Sequence, residues 1–197
     1  FVGTEQSQIA PIPVIHDHVK TKVEIDPADI SLTDKQAICN RYNNMILSSR
    51  QIQTSNVRYL DSHGSVYFAN TDGSFILQET IFCGISLLAM ARDGMNVQQA
   101  YHSVGDLRGF SNVQHMEQKC EEVTKRAVDL LTAKSVSGGK YTVIADPKLC
   151  GVFVHEAFGH LSEADFIYEN KKLRELMVMG KRFGIDALSI VDDGSLV

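Results

Sequence analysis

QIQTSNVRYLDSHGSVYFANTDGSFILQETIFCGISLLAMAR, residues 51–92, is the stretch that sets the fold class. Apolar and polar residues alternate along much of it, the period expected of strands with one buried face. Two clusters of turn-forming residues punctuate the run. Asp61-Ser62-His63-Gly64 and Thr71-Asp72-Gly73 divide it into three expected strands, Gln51 to Leu60, Ser65 to Asn70 and Phe75 to about Arg92. Asp72-Gly73 is a strong hairpin signal, and connections this short join antiparallel neighbours. The expectation is an antiparallel meander of long strands.

Helical signals flank the meander. Ser31 with Asp34 makes a cap, and Ile38, Tyr42, Ile46 and Leu47 form the apolar stripe of a helix running to about Ser48. The residues before it hold three of the four prolines and read as an extended entry segment, weakly alternating over Val19 to Ile25. Its pair His16-x-His18 would share one strand face and so reach a common metal; an exposed loop pair is the plainer reading. His63, in a turn, is read as solvated. Asp93 to Asn112 is glycine-punctuated and mixed, with Tyr101, His102, Arg108 and Phe110, and is expected to be an ordinary connection, with a substrate-facing loop as the alternative. Met116, Cys120, Val123, Ala127 and Leu130 or Leu131 recur at three- and four-residue steps, so a core-facing helix is expected from about Val113 to Ala133. The class is therefore α+β, an antiparallel meander packed with helices. Ser135 to Lys140 is a flexible break, placing an α+β unit at 1–134 and a strand–helix unit at 135–197, unless the two form one continuous domain.

The second unit carries the chemistry. HEAFGHLSEADF, residues 155–166, gathers two imidazoles and three carboxylates into a run that otherwise reads as helical. Neutral histidines are the usual nitrogen ligands of zinc, and a carboxylate beside one can take a proton from an attacking water. His155 and His160 are the candidate ligands and Glu156 the candidate base. Histidines four apart on an α-helix differ by about 40° in direction, but five apart they differ by roughly 140°, too wide for one ion. The helix must therefore end or distort into a wider turn. Gly159 is the expected place, because glycine adopts backbone angles that other residues avoid.

The same string resembles the HEAxGHxxE signature of the TldD/PmbA family, described as modulators of DNA gyrase and regarded as zinc metallopeptidases. The resemblance extends back through Gly138-Gly139-Lys140-Tyr141 and Thr142-Val143-Ile144-Ala145-Asp146-Pro147, expected to form a strand, an Asp-Pro turn and the helix bearing the signature. It implies that His155 and His160 bind zinc, that Glu156 is catalytic, and that Glu163 supports a histidine from outside the ligand set. It further implies a third ligand, a cysteine in a β-rich C-terminal domain that has no counterpart here. The chain starts at Phe1 and ends at Val197, and is read as an N-terminal and central fragment of a TldD-like protein, inactive by itself. Substrates implied are unfolded or short peptides, and partners a homodimer or heterodimer with a family member.

Composition narrows the alternatives. With 44% hydrophobic residues, 22% charged and a net charge of −5, the 197 residues suit a globular protein. No Lys/Arg run suggests a phosphate-binding stripe, so direct nucleic-acid binding is not expected. The longest apolar stretch, Ile81 to Ala91, is too short to span a bilayer, and no membrane or signal segment is expected. Cys39, Cys83, Cys120 and Cys150 lie far apart and are read as buried free thiols in a reducing cytoplasm, with Cys150 a remote candidate for a zinc ligand. Lys171 to Phe183 reads as a helix with Leu173, Leu176, Met177 and Phe183 inward and a solvated basic face. Ala187 to Val191 reads as a strand without its partners. Besides a peptidase, two readings remain open: a non-catalytic partner or regulatory subunit of such a complex, and a structural metal site or none.

Overall fold

The computed structural model describes residues 12–193. Two compact units divide between Ser135 and Val136. The first is a four-stranded sheet with two helices on one face. Its organising element is β3, Phe75–Asp93, which pairs antiparallel along almost its whole length with β2, Ile52–Ala69. On its other side β3 pairs parallel with β1, His16–Lys20, and then antiparallel with β4, Asn96–Asp106. The α+β class and an antiparallel meander packed with helices are as the alternation indicates, although the strands that make it, β2–β3–β4, differ from those expected.

Burial explains the centrality of β3. Cys83, Ile85, Leu87, Ala89 and Ala91 alternate inward and are buried, facing α1, Leu32–Leu47, and α2, Glu117–Leu130. Ser31 caps α1, its hydroxyl accepting the Asp34 amide at 3.1 Å. Tyr42 and Ile46 of α1 meet Cys120, Val123 and Ala127 of α2 in the same core, whereas Leu47 stays exposed. The Tyr42 hydroxyl donates to the Val113 carbonyl at 3.0 Å and accepts the Met116 amide at 3.3 Å, so a fully buried phenol satisfies the turn that leads into α2. Gly109 locks the entry segment beside that turn. Its φ is +83°, and a Cβ there would lie 2.5 Å from the Ile25 carbonyl oxygen, the acceptor of the Phe110 amide.

Several expectations are corrected. Asp61 to Gly64 make no turn, for β2 runs straight through them opposite Thr80 to Cys83. The long partner strand holds the ladder, and the polar side chains find local partners: Lys35 for Asp61 at 2.6 Å and Asp26 for His63 at 2.9 Å. Asp93 to Asn112 is mostly β4, reached through a two-residue hairpin with Gly94 at φ +58°. His16 and His18 lie exposed on β1, not in a loop, and His18 pairs with Glu79 at 2.5 Å.

The second unit is a series of short helices: α3, Pro147–Val154, α4, Ala164–Glu169, and α5, Lys171–Leu176. The expected strands at 141–146 and 187–191 are absent, since neither has a strand to pair with among the described residues. The helix expected to reach Phe183 stops at Leu176, and Gly180 follows at φ +81°. No side chain of this unit is buried among the described residues. Cys150, expected to be buried, is accordingly exposed on α3, while Cys83 and Cys120 are buried and Cys39 half-buried. Burial pushes the Cys120 thiol up to about 11, with Glu117 adding to the shift. No helix among the described residues is long and apolar enough to cross a membrane.

Candidate metal centre

The approach to the motif is set by its first two residues. The Asp146 carboxylate accepts the Leu149 amide at 2.7 Å, and Pro147 opens α3, where its missing N–H leaves no bond unmade. α3 then widens. His155–Gly159 form a π-helical turn in which the His160 amide donates to the His155 carbonyl, five residues back. A turn of this kind takes more residues than the roughly 3.6 of an α-helix, so side chains five apart come onto one side. The two imidazoles meet edge to face with ring centroids 4.4 Å apart.

The expected distortion is therefore present, but glycine's freedom is not its cause. Gly159 has φ −54° and ψ −55°, and a Cβ there would come no nearer than 3.6 Å to the His155 ring. Any residue can take these angles. Phe158, in the same turn, stacks edge-on with Phe183 at 5.4 Å.

His155, Glu156 and His160 bring one ligand atom each within 4.8 Å of one another, and all three are exposed. The Glu156 Oε2 lies 3.7 Å from His160 Nε2. On the other side of that ring, Nδ1 is held by the Glu163 carboxylate. With Nδ1 engaged by Glu163, Nε2 is the ring nitrogen on the Glu156 side. Among the described residues, no other group of three or more such side chains converges, and Cys150 does not join this one. The donors suit zinc in kind.

A cavity of about 600 Å³ adjoins His160, lined also by Leu161, Phe166, Glu169, Lys171 and Leu173. Sequence reasoning took Phe166 only as part of the motif and Leu173 as core-facing. The signal for this cavity was Asn170, a helix-capping residue that splits the stretch into α4 and α5.

Residues 25–134 match the model of the PmbA/TldA metallopeptidase central domain, and residues 138–197 that of the PmbA/TldA metallopeptidase C-terminal domain. The chain belongs to the PmbA/TldD metallopeptidase family. It is similar to a metalloprotease of Synechocystis sp., 40% identical over 98% of this chain and 42% of the relative. A zinc metalloprotease TldD homolog of Saccharolobus solfataricus is 27% identical over 96% of this chain and 42% of that protein. The chain thus spans about two fifths of these PmbA/TldD relatives. The crystal structure of a protein from Bacteroides thetaiotaomicron described as a modulator of DNA gyrase superposes with a TM-score of 0.62 at 19% identity, over 75% of this chain and 34% of that one, a likeness of fold alone.

Proposed function

We propose that this chain carries the histidine half of a zinc peptidase centre that cleaves unfolded or short peptides. The observation that carries the reading is the π turn, which sets His155 and His160 side by side with the Glu156 carboxylate 3.7 Å from His160 Nε2. His155 and His160 bind the ion, and Glu163 holds the His160 ring in the tautomer and direction that binding needs. Zinc, when bound, supplies Lewis acidity, acidifying water and polarising a peptide carbonyl. Glu156 takes the proton of the attacking water on its carboxylate and delivers it to the leaving amine nitrogen.

Two histidines and a base leave a catalytic site one protein ligand short. By family resemblance the missing donor is a cysteine outside this chain, and a homodimer or heterodimer of family members encloses the site in the cytoplasm. Zinc content by elemental analysis, alongside peptide cleavage, tests the assignment on the protein at the length its gene encodes. About one zinc per chain is expected, lost in His155→Ala. Glu156→Gln should keep the zinc and lose turnover. Loss of zinc in that variant would make Glu156 a ligand, and retained cleavage would remove it as the base.

A further inference from the structure

We infer that the cavity beside His160 is a specificity subsite that receives a bulky apolar side chain of the peptide next to the cleaved bond. This rests on the peptidase reading above. The cavity and the metal centre share a wall: His160 lines the one and is one of the three residues of the other. A residue seated there therefore lies one side chain away from a carbonyl held at the metal.

The lining specifies the chemistry. Leu161 and Phe166, 41% and 48% exposed, present apolar surface to the space, and Leu173 adds to it. The break between α4 and α5 makes that surface concave. Asn170 takes extended angles, φ −113° and ψ 106°, and its side chain accepts the Leu173 amide at 3.2 Å, which brings Phe166 of one helix and Leu173 of the next around one space. At about 600 Å³ the space is within the usual range for small-ligand sites, which is roughly 300–1,000 Å³. Glu169 and Lys171 also line the space, with opposite charges, and neither enters a salt bridge among the described residues. A charged side chain entering the cavity would meet one attraction and one repulsion while losing water, whereas an apolar one gains by burial.

The test uses the protein at its gene-encoded length and a set of otherwise identical peptides carrying Ala, Leu, Phe, Asp or Lys at each position flanking the cleaved bond. Binding is read by fluorescence anisotropy in Glu156→Gln, and cleavage by mass spectrometry in the unmodified protein. At one flanking position Leu and Phe peptides should bind and be cleaved about tenfold better than Ala, the discrimination an apolar pocket provides. Phe166→Ala should collapse that preference, and Leu161→Trp, which fills part of the cavity, should shift it toward Ala; zinc content and circular dichroism verify folding of each variant. Cleavage without such a preference, or with one that neither variant moves, overturns the subsite and leaves the peptidase reading standing. A binding preference that tracks the variants without any cleavage keeps the subsite and overturns the peptidase reading. Neither binding nor cleavage overturns both.

Discussion

At His160 a single carboxylate decides which nitrogen faces the metal position. Glu163 accepts from Nδ1, and without it the ring is free to turn and change tautomer. Glu163→Ala should weaken zinc binding about 10- to 100-fold, the usual cost of losing such a support, as measured by competition with a chromogenic chelator. Glu163→Gln, which keeps an accepting oxygen, should recover part of the loss; equal affinity in all three proteins would show that the contact does no orienting. Gly159 gives the opposite expectation. Its angles are helical, and a Cβ added there would stand 3.6 Å from the His155 ring, an ordinary contact distance. Gly159→Ala should therefore keep both circular dichroism and zinc content.

Between elements, α1 is tied to β2 and to the turn before α2 by two side chains. Lys35 and Asp61 pair at 2.6 Å with side chains 15% and 26% exposed. Burial alone would raise the Asp61 carboxyl, but hydrogen bonds from Lys35 and Tyr59 outweigh it and hold it below the usual range. A carboxyl depressed in the folded state contributes stability above its unfolded value of about 3.9, and that contribution is lost as pH falls through the folded value. Lys35→Met should therefore lower the urea midpoint at pH 6, with the gap to the unmodified protein closing as pH approaches 3; a gap independent of pH would exclude the linkage. Tyr42→Phe leaves the buried Val113 carbonyl and Met116 amide without their partner, and should cost about 1–3 kcal/mol in denaturant unfolding. These ties also show where sequence reading failed. Asp61-Ser62-His63-Gly64 has turn chemistry, yet Lys35 and Asp26 satisfy its side chains and β3 pairs its backbone. β4 escaped notice because two of its inward positions are Gln98 and His102, which mask the alternation that Ala100 and Val104 continue.

Across the whole chain, burial is concentrated in the first unit. β3 and α2 hold most of the buried apolar residues, and residues 136–193 hold none. Hydrogen exchange of the 197-residue chain should accordingly be slowest in β3 and α2 and far faster throughout 136–193; comparable protection in both would contradict the burial pattern. The sequence by itself determined the local features: the cap at Ser31, the Asp72-Gly73 hairpin, the core face of α2, and the residue types of the metal centre, because each depends on near neighbours in the chain. Tertiary structure decided the rest. Whether Asp61 to Gly64 turn or extend, whether Asp93 to Asn112 is loop or strand, and whether the runs at 141–146 and 187–191 become strands all depend on a hydrogen-bonding partner distant in sequence. The convergence of His155 and His160 depends on an i→i+5 hydrogen bond, which five-residue spacing alone does not reveal.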